Sequence, residues 1–304
     1  GFRSDRLYEL IYPAKNPIVM GLGYAITRDL ASFLRYSTKD DEGNPNPVAR
    51  NATEVGIRRA YGSGSSSTGM YLRDFLYLGF NEDEEHRRVF DAINIHIPGS
   101  HRLFANVAFA DPNTYSRQDD RHHFLSTSYP PMQFAVVTDP LTGIRDGILK
   151  RPATDPLVFQ VDTENEFYTM KASLNVHDGI GRPVFVPDNV RLYLLSNFQH
   201  SGGNPTLAVP GSNDLCANPT NPNYHGPTHR ALITALDAWA DRGQAPPPNR
   251  YPQVADGTLV SISQYSADFP QIPGAALTEV INELSLVDFG PWFGSTGGFL
   301  TQIP

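Results

Sequence analysis

The sequence predicts an α/β fold in which a mostly parallel sheet is covered by helices on both faces. Short apolar runs typical of buried strands alternate along the chain with longer segments whose apolar residues recur at helical spacing. Of the 304 residues, 40% are hydrophobic and 18% are charged, which is enough apolar material for a packed interior. The chain has no internal repeat, so a solenoid is not expected.

The predicted elements follow in the order that such a sheet requires. They are a strand at 7–12, a helix from Leu22 to about Tyr36, a strand at 57–64, a helix with Leu72, Phe75, Leu76 and Phe80 on one face, a strand at 89–97 in which Ile93, Ile95 and Ile97 alternate, strands at 157–161 and 189–195, and a helix with its N-cap at Thr228 that ends before residue 245. Residues 98–156 lack these patterns, and we expect a loop-rich insertion over one end of the sheet.

The charge balance excludes several classes of partner. With 24 basic and 32 acidic residues, the net charge of −8 argues against a nucleic-acid groove or an anionic membrane surface. No apolar run approaches the ~20 residues of a membrane span. The lone Cys216 excludes an intrachain disulfide and a cysteine-based metal site. Charges in the first twenty residues mean that an export signal, and a periplasmic or secreted location, would require a segment before Gly1. Oligomeric state and compartment stay open.

A serine-rich turn at residues 64–69 (GSSSTG) joins the predicted strand at 57–64 directly to a helix. Small neighbours permit a sharp bend that exposes one hydroxyl, and the helix N-terminus directs N–H groups toward developing negative charge. This arrangement is typical of a nucleophile elbow, usually G-x-S-x-G. Here Thr68 stands where the second glycine belongs, and Gly69 follows one residue later. The serine run taken alone is more typical of a flexible loop, and it is the acid and histidine after later strands that favour the elbow.

Acidic residues and a histidine follow two later strands, in the order serine, acid, histidine. Carboxyl ends of parallel strands meet at one edge of a sheet, so we expect these side chains to lie close together. The residues alone leave the identity of each group open. The serine is one of Ser63, Ser65, Ser66 and Ser67, the acid is one of Asp162, Glu164 and Glu166, and the histidine is one of His177, His200, His225 and His229. In an extended segment Glu164 and Glu166 would point to the same side, and for His225 and His229 we expect surface or capping roles.

Five long blocks of the sequence resemble a large, poorly characterised bacterial family described as alpha/beta hydrolase domain proteins. They lie at 61–99, 139–149, 163–174, 187–200 and 235–260, so the resemblance covers nearly the whole chain. It implies an α/β-hydrolase fold and serine hydrolase activity. More distantly, the layout resembles glucuronoyl esterases, which also pair a serine with a glutamate and a histidine.

The resemblance implies a triad of Ser66, Glu166 and His200, with the Ser67 backbone N–H as an oxyanion donor. It therefore implies hydrolysis of a small-molecule or carbohydrate-linked carboxylic ester, by an esterase or a lactonase, without a cofactor. Two positions depart from the family pattern, since Met70 replaces an arginine and Ser67 a glutamine. The alternative is a catalytically silent ligand-binding protein on a hydrolase scaffold, but the intact serine, glutamate and histidine favour the enzyme.

A metal or dinucleotide site is not predicted. One group of potential ligands occurs, namely His101, His122, His123, Asp119 and Asp120. It lacks the H-E-x-x-H or comparable spacing of a metal motif. The glycine-rich segment at 21–25 lacks the third glycine and the ribose-binding acid of a dinucleotide site.

The resemblance also bears on domain organisation. Before the elbow strand only one strand and one helix are predicted, whereas the α/β-hydrolase core has several earlier strands and a loop that supplies the second oxyanion N–H. We therefore expect residues 1–304 to form a single catalytic domain that lacks N-terminal strands and a C-terminal extension. The second oxyanion donor stays open.

Overall fold

The computed structural model describes residues 15–103, 105–106, 130–203 and 221–274, together with positions 3, 13 and 277. Its elements in chain order are α1 (Leu22–Tyr36), β1 (Tyr61–Ser65), α2 (Ser67–Leu78), β2 (Ala92–His96), β3 (Val137–Thr138), β4 (Arg145–Asp146), β5 (Leu157–Thr163), α3 (Glu164–Thr169), a 3-10 helix (Ala172–Asn175), β6 (Val190–Leu195), α4 (Gly226–Arg242) and α5 (Ile262–Asp268). The strand predicted at 7–12 lies outside the described residues, as does much of the predicted insertion.

A four-stranded parallel sheet, in the order β1-β2-β5-β6, forms the centre of the fold. Its register places Ser65 opposite His96, and Thr163 opposite Leu195. The carboxyl ends of β1, β5 and β6 therefore share one edge, and the chain segments that follow these strands leave the sheet side by side. The predicted α/β class with a parallel sheet is confirmed.

Helices cover both faces of this sheet. On one face α2 contributes Leu72 and Leu76 to an apolar cluster with Ile93 and Ile95 of β2. On the other face the α4 residues Leu232, Leu236 and Trp239 pack on Ala92, Phe159, Val161 and Tyr193. Every residue of β2 is buried, as a central parallel strand between two helical layers requires. Among the described helices, none is both long and apolar enough to cross a lipid bilayer.

Three local predictions were wrong. Helix α2 ends at Leu78, because Gly79 adopts the left-handed conformation (φ 90°) that terminates helices, so Phe80 lies beyond it. Helix α4 begins three residues earlier than expected, with His225 rather than Thr228 at the N-cap, because its second residue is a proline that favours a first turn.

The third error concerns the segment after β5. It turns at once into α3, because Thr163 and Glu166 form a capping box in which each side chain pairs with the other's backbone. Glu164 and Glu166 consequently project from different sides of a helix instead of from one side of an extended chain. Helix α5, near the end of the described region, was not predicted.

Gly64 is required by a close approach between β1 and α2. A Cβ atom at this position would lie 2.4 Å from the Thr68 carbonyl oxygen and 2.7 Å from its carbon. We expect Gly64→Ala to lower the free energy of unfolding by about 1–3 kcal/mol, because backbone atoms must shift to admit the methyl group. Urea denaturation measures this change.

Gly23 in α1 offers the matched control. A Cβ there would meet nothing within 4 Å, so Gly23→Ala should raise the unfolding free energy by about 0.5–1 kcal/mol through helix propensity alone. Equal effects of the two substitutions would contradict the close approach at Gly64.

Candidate active site

Ser66 occupies a sharp turn between β1 and α2. Its backbone has φ 54° and ψ −121°, a conformation that non-glycine residues rarely adopt. Two backbone hydrogen bonds hold it there: Ser66 N–H donates to the His96 carbonyl (2.9 Å), and Met70 N–H donates to the Ser66 carbonyl (2.9 Å). The turn thus carries the Ser66 hydroxyl at the carboxyl edge of the sheet.

Thr68, the departure from the usual elbow pattern, fastens this turn. Its Oγ1 accepts a hydrogen bond from Ser65 N–H and donates one to the Ser65 carbonyl, both at 2.7 Å. Glycine is instead required at two flanking positions, since a Cβ on Gly64 would strike the Thr68 backbone and one on Gly69 would lie 2.9 Å from the His96 carbonyl oxygen. Thr68 therefore closes the turn through its side-chain hydrogen bonds with Ser65, although the usual pattern has glycine at this position.

The structure brings Ser66, His200 and Glu166 into one hydrogen-bonded chain. His200 Nε2 lies 2.9 Å from Ser66 Oγ, and His200 Nδ1 lies 2.6 Å from Glu166 Oε1. The serine follows β1, the glutamate lies on α3 after β5, and the histidine follows β6. Three segments that are distant in sequence meet because their strands belong to one parallel sheet and end at the same edge of it.

Glu166 is fully buried and accepts hydrogen bonds on both carboxylate oxygens. Besides the contact with His200, its Oε2 accepts from the Thr163 N–H and the Thr163 hydroxyl, each at 2.6 Å. Burial by itself raises the pKa of Glu166, but the hydrogen bonds from His200 and Thr163 outweigh it and hold that pKa below its usual value. The carboxylate is therefore ionised at neutral pH.

An ionised carboxylate at Nδ1 also fixes the tautomer of His200. Glu166 can only accept, so the neutral imidazole keeps its proton on Nδ1 and offers an Nε2 lone pair to the Ser66 hydroxyl. Chemically, this is the arrangement of a general base aimed at an alcohol. The His200 side chain is 30% exposed, so a reactant can reach the imidazole and the Ser66 hydroxyl beside it.

The two rival acids lie elsewhere. Asp162 is a buried residue of β5 that accepts hydrogen bonds from Gly99 N–H, Gln160 and Tyr251 at 2.7–3.0 Å. Burial, with the charge of Glu166 adding to it, raises the pKa of Asp162 to about 7. Glu164 lines a cavity on a different face of α3. Of the three candidates, Glu166 is the acid that contacts His200.

The rival serines and histidines have other contacts. Ser65 Oγ lies 3.1 Å from His96 Nδ1, and Ser63 Oγ accepts from Asn94 at 3.3 Å. His177 contacts Ser173 and Gly179. Within the described parts of the chain, the Ser66 hydroxyl is the serine-run oxygen that is hydrogen-bonded to His200.

His96 is a neighbour of the site that the sequence reasoning missed. Its carbonyl holds the Ser66 N–H, and its ring packs against His225 and His229 at centroid distances of 4.7 and 4.5 Å. Burial, with the two neighbouring rings adding to it, lowers the pKa of His96 to about 3, so the imidazole is neutral. His96 is the last residue of β2, the strand next to β1, and this position could have identified it as a neighbour of the site.

Ser67 is the first residue of α2, so its N–H is among the helix donors without an intrahelical acceptor.

Four of the five potential metal ligands named from the sequence, Asp119, Asp120, His122 and His123, lie outside the described residues. The fifth, His101, is buried. Within the described ranges, no group of three histidine, cysteine or acidic side chains could hold a metal ion.

Comparison with protein families identifies the scaffold. A family described as "Alpha/beta hydrolase domain" matches residues 2–271 of the chain. The comparisons with curated proteins and with solved structures found no match. The distant resemblance to glucuronoyl esterases stays a prediction. The parallel sheet, the strained turn after β1 and the family match agree, and the chain belongs to the alpha/beta hydrolase domain family.

Proposed function

We propose that the protein is a serine hydrolase that cleaves carboxylic esters through an acyl-enzyme. The observation that carries this proposal is the chain of two hydrogen bonds that joins Ser66, His200 and buried Glu166, at 2.9 and 2.6 Å. Nucleophile, base and orienting acid at these distances form the constellation that activates a serine. The family scaffold supports hydrolysis as the class of reaction.

In the first half-reaction Ser66 Oγ attacks the ester carbonyl carbon while its proton moves to His200 Nε2. Glu166 stabilises the imidazolium that forms, because its carboxylate is held ionised against Nδ1. The tetrahedral intermediate then collapses, the bond from carbon to the alcohol oxygen breaks, and His200 returns the proton to the leaving alcohol. The acyl group remains on Ser66.

In the second half-reaction a water molecule takes the place of the alcohol. His200 accepts a proton from this water as its oxygen attacks the acyl carbon, and returns that proton to Ser66 Oγ as the acid product leaves. In both steps we propose that the negatively charged former carbonyl oxygen accepts a hydrogen bond from Ser67 N–H. One such donor contributes about 3 kcal/mol in comparable sites.

The proposed substrates are small-molecule or carbohydrate-linked esters, including lactones. The acidic net charge of −8 disfavours polyanionic substrates. Met70, which stands where the family pattern has an arginine, is 4% exposed and supplies no positive charge near the elbow. The replacement of arginine by Met70 therefore favours an ester without a carboxylate group, because Met70 cannot pair with one.

We expect Ser66→Ala to abolish labelling by a fluorophosphonate probe and to lower kcat on short-chain nitrophenyl esters by about 10,000-fold or more, because the nucleophile is lost. Ser65→Ala is the matched control, since it removes a neighbouring hydroxyl that contacts His96 instead of His200. This control should keep its labelling and activity within a few fold.

Two results would count against this assignment. Equal labelling of wild type and Ser66→Ala would show that Ser66 is not the nucleophile. A well-folded wild-type protein that hydrolyses no ester of the panel would favour a catalytically silent ligand-binding protein.

A second prediction separates the two glutamates of α3. Glu166→Gln removes the charge that stabilises protonated His200, so kcat should fall by about 10,000-fold, as in triads whose acid becomes an amide. Glu164→Gln makes the same chemical change on a different face of α3 and should leave kcat within about threefold of wild type. Steady-state kinetics of both variants decides the matter, and a larger loss in Glu164→Gln would refute the role of Glu166.

A further inference from the structure

A cavity of about 550 Å³ lies beside α3, on the helix face that carries Glu164, Phe167 and Tyr168. Residues three and four apart on a helix share a face, whereas Glu166 is rotated by roughly half a turn from Glu164. The volume falls within the range of about 300–1,000 Å³ that is typical of small-molecule sites. The residues that line this cavity do not include the proposed catalytic serine, histidine or glutamate, so it is a separate space.

The wall of the cavity is mostly apolar and partly aromatic. Its apolar side chains come from α3, the 3-10 helix, β6 and the segment that leads into α5, namely Phe167, Leu174, Leu194, Leu259, Val260 and Ile262. Tyr168 and Tyr265 also line it, and the Tyr168 hydroxyl is hydrogen-bonded to Tyr265. Such a wall fits an aromatic ligand, because rings bury large apolar areas and pack well against other rings.

Charged side chains of both signs line the same cavity. Glu164 contributes a carboxylate, and Lys171 contributes an amine whose pKa is lowered to about 8 by burial. Lys171 already has an interaction partner within the chain. An anion in the cavity would meet the carboxylate, and a cation would meet the ammonium ion that Lys171 still carries at neutral pH. The charges therefore favour a neutral ligand.

Glu164 presents a hydrogen-bond acceptor to the cavity. Its side chain is partly buried and, among the described residues, has no hydrogen-bond or ion-pair partner. A carboxylate accepts but cannot donate, so the complementary group on a neutral ligand is an O–H or N–H donor. Hydrogen bonds to a carboxylate are about twice as strong as bonds between neutral groups. One donor on the ligand is therefore enough to orient it.

We propose that this cavity binds a small neutral phenol, whose hydroxyl donates to Glu164 and whose ring lies against the aromatic part of the wall. A phenol is uncharged at neutral pH, since its pKa is about 10, and it combines one strong donor with an apolar body. The site goes beyond the proposed ester hydrolase activity and does not depend on it, since none of its residues belongs to the chain of Ser66, His200 and Glu166.

Calorimetric titration of the full chain at pH 7 tests the ligand class. The probes share one body: 4-ethylphenol, its methyl ether 4-ethylanisole, 4-ethylbenzoate and 4-ethylbenzylammonium. The phenol should bind saturably, and the ether about tenfold more weakly, because it lacks the donor to Glu164. Both ions should bind more weakly than the phenol, because each meets a like charge. Tighter binding of either ion than of the phenol would overturn the proposal.

A substitution of Glu164 tests the acceptor. Glu164→Met should weaken 4-ethylphenol about tenfold and change 4-ethylanisole little, because the acceptor is lost while the apolar wall remains. The same variant should bind 4-ethylbenzoate more tightly than wild type does, because a like charge is removed. Glu85→Met is the matched control: it removes an exposed glutamate outside the cavity and should leave all these affinities unchanged.

A second pair of variants tests the location. Val260 lines the cavity and is 41% exposed, so Val260→Trp should obstruct the cavity without disturbing the core and should abolish binding of 4-ethylphenol. Ile233→Trp places the same bulk on a similarly exposed position of α4 and should have no effect.

The outcomes separate this site from the proposed function. The phenol should bind Ser66→Ala as tightly as wild type, whether or not the protein hydrolyses esters. Absence of saturable 4-ethylphenol binding to the folded wild type, or unchanged binding in Glu164→Met and Val260→Trp, would overturn the proposal.

Discussion

The rest of the site depends on the strained backbone of Ser66. A residue at φ 54° and ψ −121° persists only when its surroundings fix it. Here the surroundings are the parallel pairing of β1 with β2, which brings the His96 carbonyl within 2.9 Å of Ser66 N–H, and the Thr68 side chain, which closes the turn on Ser65. Because the sheet supplies one bond and the helix the other, neither element could shift without releasing the hydroxyl from its position.

Glu166 joins local folding to chemistry in a similar way. One of its carboxylate oxygens accepts from Thr163 and caps α3, while the other faces His200. The hydrogen bonds that begin the helix are thus among those that keep the carboxylate ionised in a buried place. A residue with both tasks must sit at the third position of a helix that starts directly after the strand, which is where the sequence Thr163-x-x-Glu166 puts it.

Periodicity predicted α1, the parallel strands and the helices on both faces, because burial imposes these patterns whatever the remaining structure is. The small residues at 64–69 separately indicated the turn that carries Ser66. The choice of Glu166 over Glu164 needed the family resemblance, because treating the segment as extended hid the capping box that a Thr-x-x-Glu pattern signals. The contacts of His96 with His225 and His229 depend on where α4 docks on the sheet, which no local pattern encodes.

Apolar packing positions the layers, but it is not directional and does not by itself hold reacting atoms within tenths of an ångström. A buried polar network beneath the site adds that direction. Arg73, on the helix that follows the elbow, is fully buried and donates to Gln160 and to Asn175, and Gln160 in turn donates to Asp162 at 2.7 Å. A buried guanidinium is costly unless its partners stay in place. The helix behind Ser66 is therefore tied to the strand that leads to Glu166 by bonds that tolerate little relative movement.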